Sequence, residues 1–391
     1  MIALLKTPII FYLIVLSSAA LILSCSDDDN PNISVSTPLE LNSDSIATLE
    51  VNDFVVDVSQ TGTISNGIWQ NGSANIGCIY LAGLWISIEN SGNIYGNIVS
   101  TAFSEKSNYI ASKYENIKGV FSLDSDFEYL NNNWPSEIGA PVDESGKPKV
   151  YGDGMCWSVF ESDTTLGHNP AYSRPIKHLK VTQTIYGYKS NELRNVLFIK
   201  YGISNSSSED WNNVTLGFFS DTDLPNASQN QTGYDSSGAI SFTYERGSNT
   251  VAGFCFLETP NNLGVNSHRI MRKNDYHDPD FGEYTFTTYE QIPQILNGLS
   301  NDGNPMINPV TGLATKFAFT GDPVAEIGWI DTPVDVRSLL SLNSFTLSAG
   351  ETTWVTIAWV ITQKSDLENS ITALKNKIDE VKANKSLWQF N

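Results

Sequence analysis

The sequence predicts an all-β fold, one or two packed antiparallel β-sandwiches with a C-terminal helix, on three observations. Short runs rich in Val, Ile, Phe, Tyr and Trp recur along the chain, punctuated by clusters of Gly, Asn, Asp and Ser. Within several runs apolar residues alternate with a period of two, so each strand presents one face for burial. One segment near the C-terminus instead repeats its apolar residues at helical spacing.

Taken in order, Asn52–Ser59 mixes apolar and polar residues in a strand-like run. Cys78–Ile88 (CIYLAGLWISI) is dense in β-branched and aromatic residues and stops at Glu89-Asn90-Ser91-Gly92. It predicts a central strand, or two, buried on both faces. Residues 123–156 are rich in Asp, Asn, Gly and Pro and predict a long surface connection dividing two parts of the fold. His178–Tyr188, Asn195–Ser204 and Asn213–Ser220 then read as three strands with short polar connections, an antiparallel meander. In the second of them Leu197, Ile199, Tyr201 and Ile203 share one face. Ser344–Leu347 and Thr353–Thr362, joined by Ser348-Ala349-Gly350-Glu351, predict a late hairpin. Finally Leu367, Ile371, Leu374, Ile378 and Val381 form one apolar stripe behind a Ser365/Glu368 capping box, the face by which a helix packs on the sheet of its own domain.

Composition narrows the function classes. Charged residues make up 17% and aromatic residues 11% of the 391, which suits a chain that buries a core. Lys and Arg number 23 against 43 Asp and Glu, a formal net charge of −20. Phosphate binding needs clustered cations, so nucleic acid is not an expected partner; divalent cations remain compatible with that balance. Of four cysteines, Cys78, Cys156 and Cys255 fall in the folded part with no CxxC pair, so buried structural thiols, with at most one internal disulfide, are expected.

The N-terminus carries the most specific signal. Lys6 precedes an uncharged apolar run, Ile9–Leu23, then the small Ser24 and Cys25. The run is shorter than the ~20 apolar residues of a spanning helix and reads as a secretory signal. Ile22-Leu23-Ser24-Cys25 resembles the lipobox of bacterial lipoproteins, and that resemblance implies cleavage before Cys25 and a lipid on its thiol. Ser26, Asp27, Asp28 and Asp29 resemble the acidic signal that sends some Gram-negative lipoproteins to the outer face of the outer membrane. The expected organisation is a signal peptide over 1–24, a flexible tether over 25–48, an N-terminal β region over 49–155, and a β-sandwich region over 156–391 with its helix at 365–383.

Candidate chemistry is sparser. Asp221, Asp223 and Asp235 fall in a turn-rich stretch, DTDLPNASQNQTGYD, that offers the carboxylate and amide oxygens a Ca²⁺ ion takes; plain turn capping by Asp and Asn is the competing reading. Asn274–Asp280 groups three carboxylates with His277, but nothing supplies a partner nucleophile or ligand set. HExxH, GxSxG and Walker patterns are absent from the sequence, and the four His are scattered. Nine Trp are many for this length. Trp85, Trp354 and Trp359 lie in strong strand patterns and are expected in the core; Trp134 and Trp329 lie in loop-like contexts and are the expected ligand contacts. Asp335 and Arg337 are expected to pair and pin a loop.

From Asn52 to Lys385 the ordered motifs AGLWI (82–86), DGMCWSVF (153–160), SDTDL (220–224), AGFCFLETP (252–260), NDGNP (301–305), TKFAFTGDP (315–323), GWID (328–331), DVR (335–337) and SFTLSAGE (344–351) resemble a set of secreted bacterial β proteins, many of which carry a type IX sorting domain. That resemblance implies an extracellular β fold and names no activity. The expected function is therefore a lipid-anchored module of the outer-membrane surface that binds extracellular glycan or protein or serves as structure, without catalysis and without a cofactor other than Ca²⁺. The alternative is a hydrolase acting on extracellular polysaccharide.

Overall fold

Two nine-stranded antiparallel sheets arise from a chain that passes back and forth between them. The computed structural model describes residues 45–90, 92–100, 107–112, 120–124, 134–162, 174–273, 281–282 and 287–390. Strands β1 (Ile46–Glu50), β2 (Phe54–Ser59), β3 (Ile64–Asn71), β4 (Ala74–Asn90) and β5 (Asn93–Asn97) open the first sheet. Strands β6 (Tyr109–Ala111), β7 (Val120–Asp124), β8 (Gly154–Ser162), β9 (Leu179–Gly187) and β10 (Val196–Asn205) lie in the second. β11 (Trp211–Asp221) returns to the first, and β12 (Asn230–Asp235), β13 (Ile240–Glu245) and β14 (Thr250–Glu258) to the second. β15 (Val265–Arg272) joins the first sheet, followed by helix α1 (Gln291–Leu296) and a small ribbon, β16 (Met306–Ile307) with β17 (Ala314–Thr315). β18 (Val336–Leu342) and β19 (Phe345–Leu347) complete the first sheet, β20 (Thr352–Gln363) the second, and helix α2 (Leu367–Ala383) follows.

The strand order is β1-β2-β3-β4-β11-β18-β15 in the first sheet, with β5 on β4 and β19 on β11. In the second it is β12-β13-β14-β20-β10-β9-β8-β6, with β7 on β8. Period-two patterning decides what lies between the sheets. Leu197, Ile199, Tyr201 and Ile203 of β10 and Val355, Ile357, Trp359 and Ile361 of β20 all face this main core and are buried. Rings from both sheets meet there: Phe54 sits edge-on to Trp359 at 5.6 Å, and Phe218 edge-on to Phe254 at 5.2 Å. Such pairs add about 0.5–1.5 kcal/mol beyond area burial. Ile292, Ile295 and Leu296 of α1 are buried against the first sheet. The stripe Leu367, Ile371, Leu374, Ile378 and Val381 of α2 is buried against the outer face of the second.

β4 meets its expectation: it runs 17 residues and is buried on both faces from Leu81 to Ile88. Other expectations are corrected. The meander breaks after its second strand, because β20 occupies the free edge of β10 and β11 crosses to pair with β4 and β18. The late hairpin breaks the same way, β19 pairing with β11 while β20 pairs with β10 and β14. The two crossing loops bond to each other: Gly350 N–H donates to Asn205 O (2.8 Å), Asn205 N–H to Glu351 O (3.0 Å), and Ala349 N–H to Asp210 Oδ1 (2.9 Å). The helix is capped by Asp366, whose side chain accepts from Asn369 N–H at 2.8 Å, one residue later than the capping box expected at Ser365. The boundary at 155/156 falls inside β8, and strands from both expected regions share both sheets. Within the expected surface connection, Trp134, Ile138 and Ala140 are buried in the cluster on the outer face of the second sheet. Cys78, Cys156 and Cys255 are free and buried. Burial pushes all three thiols up, Cys156 and Cys255 to about 11.

Candidate functional site

The expected contact residues and the exposed ones are different tryptophans. Trp134 is buried; its Nε1–H donates to Pro141 O at 2.9 Å and its ring packs on Phe121 and Trp157. Trp329 is half-buried, 5.0 Å from the Phe319 ring and 6.2 Å from Phe281. Trp354, expected in the core, is 41% exposed. Strand parity gives the reason: Trp354 and Trp359 are five residues apart on β20 and so point to opposite faces. Trp359 enters the main core, while Trp354 lies on the outer face of the second sheet.

Register assembles the surroundings of Trp354. On β10 it lies opposite Gly202, and a Cβ built there would meet the indole ring at 2.6 Å, so glycine is what lets the ring lie low over the neighbouring strand. In the adjoining row Thr356 of β20 stands between Lys200 of β10 and Glu258 of β14. The Lys200 ammonium donates to Glu258 Oε2 at 2.5 Å and lies 5.1 Å from the centre of the Trp354 ring. Thr356 Oγ1 donates to the same Oε2 at 2.7 Å. The Lys200 side chain is 4% exposed and that of Glu258 26%. On the other side of the tryptophan the hydroxyls of Ser204 and Thr352, also register partners, are 2.8 Å apart. Trp354 is thus an open aromatic ring between two polar rows, each about 7 Å away along the strands. A ring face flanked by a carboxylate and hydroxyls can stack on an apolar ring surface and accept hydrogen bonds from hydroxyls around its edge.

Lys200, Glu258 and Gly202 were not singled out by pattern reading. The available signal is Lys200 itself, a charge inside the apolar run Val196–Ile203, where lysine is almost never buried without a partner.

The candidate cation residues separate. Asp221, Asp223 and Asp335 have carboxylate oxygens within 4.8 Å of one another. Asp235 stands apart from that group, its Oδ1 accepting from Lys375 Nζ at 2.8 Å and its Oδ2 from Ser237 Oγ and Gly238 N–H. Two cations already serve the group of three. Arg337 reaches Asp221 at 3.2 Å and Asp335 at 2.6 Å, the pairing expected of Asp335 and Arg337, and Lys273 reaches Asp335 at 2.9 Å. Burial, and then the neighbouring Asp335, push the Asp223 carboxyl up. A Ca²⁺ ion takes six to eight oxygens, and here it would have to displace a guanidinium and an ammonium. The donor set does not fit the ion; it fits a clamp joining the end of β11 to β18.

Two clefts offer further polar groups. One, ≈ 330 Å³, is lined by Lys177, His178, Glu209 and Trp211. The other, ≈ 470 Å³, contains Asp235, Asp322 and Glu368. Asp322 caps the N–H groups of Val324 and Ala325, and Glu368 sits in the first turn of α2, so these carboxylates have local structural work. Cys25, Ser26, Asp27, Asp28, Asp29, His168 and Asn274–Asp280 lie outside the described residues.

No protein-family model matches the chain, and no curated protein matches it either. Among solved structures, one described as an aldose 1-epimerase from Escherichia coli K12 is 10% identical, over 82% of this chain and 99% of that one, at a TM-score of 0.31. A protein of Synechocystis sp. PCC 6803 is 7% identical, over 86% of this chain and 99% of its own, at a TM-score of 0.33. Likeness at this level carries nothing over to this chain.

Proposed function

We propose that this chain is a lipid-anchored cell-surface module that binds extracellular glycan without catalysis, through the outer face of its second sheet. The observation that carries the glycan reading is Trp354, a large ring left open on the part of that face beyond α2, with an ordered carboxylate beside it. An aromatic surface with a few oriented polar groups beside it is the combination by which a site holds and orients a ligand. A binding role is favoured over hydrolysis by the company Glu258 keeps. Its Oε2 is engaged by the Lys200 ammonium and the Thr356 hydroxyl, which fix the carboxylate in place rather than leaving that oxygen free to pass a proton to a leaving group. The anchoring part of the reading rests on the lipobox-like Ile22–Cys25 and on Asp27–Asp29.

A glycan array probed with the purified mature chain in detergent tests the binding reading. Wild type is expected to retain one family of polysaccharides and Trp354→Ala to lose it; equal retention by both would refute the platform. Cell fractionation tests the anchor. Cys25→Ala is expected to leave the membrane fraction, and unchanged membrane retention would refute lipidation.

A further inference from the structure

We infer that the ligand of this face is a pyranoside without acidic groups, and that uronic-acid and sulfated polysaccharides are excluded; this rests on the reading of Trp354 as a glycan platform. The cation at the site is already engaged. Lys200 is 4% exposed in its side chain, its ammonium donates to Glu258 Oε2, and it lies against the tryptophan ring, 5.1 Å from its centre, rather than at the open surface. It cannot turn outward to a ligand carboxylate without giving up a charge-assisted hydrogen bond.

Glu258 is the group left facing outward. Its side chain is 26% exposed, and while Oε2 takes both Lys200 and Thr356, Oε1 accepts no hydrogen bond from the described residues. An ionised carboxylate is acceptor-only, so it suits hydroxyl donors and disfavours a second anion. Like charges about 4–6 Å apart near a protein surface repel by a few kcal/mol, and Lys200 on Oε2 offsets part of that, leaving about 1 kcal/mol against an anion drawn up to Oε1. Beyond the ring the next row runs Thr352, Ser204, Lys180 and Glu161, so its cation stands one strand further out than Ser204 and has a second carboxylate as its neighbour. Ser204 and Thr352 present hydroxyls, and Lys180, on the strand next to Ser204, has its ammonium 3.5 Å from the Ile138 carbonyl. The formal charge of the whole chain, −20, adds a long-range term of the same sign.

The test is titration calorimetry of the mature chain in detergent against neutral oligosaccharides and their C6-oxidised, uronate counterparts, which differ at one carbon of each sugar. The best neutral ligand is expected to weaken about tenfold or more on oxidation. Glu258→Gln, which keeps the shape and one acceptor but removes the charge, is expected to weaken the neutral ligand about tenfold and to narrow the gap to its oxidised partner. An oxidised ligand that binds wild type as tightly as the neutral one, or a gap that Glu258→Gln leaves unchanged, overturns the exclusion while leaving the platform standing. If no oligosaccharide of either kind gives binding that Trp354→Ala abolishes, the platform falls and the exclusion with it.

Discussion

The outer face of the second sheet consists of two halves made from the same strands. Along β20 that face carries Trp354, Thr356, Ala358 and Val360; along β10, running the other way, Ser204, Gly202, Lys200, Phe198 and Val196. Ala358, Val360, Phe198 and Val196 belong to the cluster that holds the buried stripe of α2. One row further on the residues become Thr356 and Lys200, then Trp354 and Gly202, then Thr352 and Ser204. The inner face of the same two strands carries Leu197, Ile199, Tyr201 and Ile203 on β10 and Val355, Ile357, Trp359 and Ile361 on β20, all in the main core. It stays predominantly hydrophobic over that length because the other sheet packs on it. The outer face needs to be apolar only as far as its cover extends. Polarity changes at Thr356 and Lys200, which are still buried, and the surface available to a ligand begins one row on, at Trp354.

The largest expected effect falls in the covered half. Leu374 of α2 is fully buried, and Leu374→Ala is expected to cost about 2–5 kcal/mol through lost transfer energy and a residual cavity. Trp354→Ala should cost about 1 kcal/mol or less, since exposed positions tolerate truncation. Urea unfolding of the two variants measures both. Equal losses would mean that Trp354 is a structural ring and that the face does not divide as described.

Acid sharpens the contrast between outer and inner faces. His268 of β15 is fully buried; Ser241 Oγ lies 3.0 Å from its Nε2 and the Ala318 carbonyl 3.0 Å from its Nδ1, and Tyr234 stacks on its ring. Burial holds its pKa down at about 4, against a partial opposing effect of the Ala318 hydrogen bond. The neutral form is therefore preferred in the folded state, and the unfolded chain takes up the proton first. Stability is full above an unfolded pKa near 6.5 and declines as pH falls toward 4, by about 3 kcal/mol in all. His268→Gln should flatten the pH dependence of the urea midpoint over that range. A slope that persists in the variant would place the acid-sensitive group elsewhere.

Legibility in the sequence follows from which interactions are local. The α2 stripe, the two-faced burial of β4 and the inward set Leu197, Ile199, Tyr201 and Ile203 were readable because side-chain direction follows from spacing alone. Pairing was not. Asn205–Asp210 and Ser348–Glu351 are short and polar, as hairpin turns are, yet both carry the chain from one sheet to the other. What makes them arches is their bonding to each other, between residues 139 or more apart in sequence, through Asn205 with Glu351 and Asp210 with Ala349. Trp354 was misplaced for the same reason. Its strand was evident, but the length of outer face that α2 covers depends on how a distant helix lies. Asp335 joins Asp221 and Asp223 because β18 pairs with β11, a contact that no spacing within the DTDLPNASQNQTGYD stretch encodes.

The smallest expected effect concerns the pair beneath the tryptophan, and it distinguishes a ligand-facing device from a stabilising one. Lys200 is nearly enclosed whereas Glu258 reaches water, so the pair lies between the surface case, worth about 0.2–1 kcal/mol, and the buried case, where breaking one partner costs about 3–5 kcal/mol. When Lys200 becomes Met, Glu258 keeps its Thr356 hydrogen bond and can hydrate its freed oxygen, and the methionine fills the stem volume of lysine. Lys200→Met is accordingly expected to cost about 1 kcal/mol or less in folding. A double-mutant cycle with Glu258→Gln should give a coupling of about 0.5–1 kcal/mol. The same variant should change ligand affinity more than it changes stability, because Glu258 is then held beside the ring by Thr356 alone and its charge is no longer offset. A coupling of several kcal/mol with no change in affinity would assign the pair to the fold, and the open half of the sheet would then owe its polarity to stability rather than to a ligand.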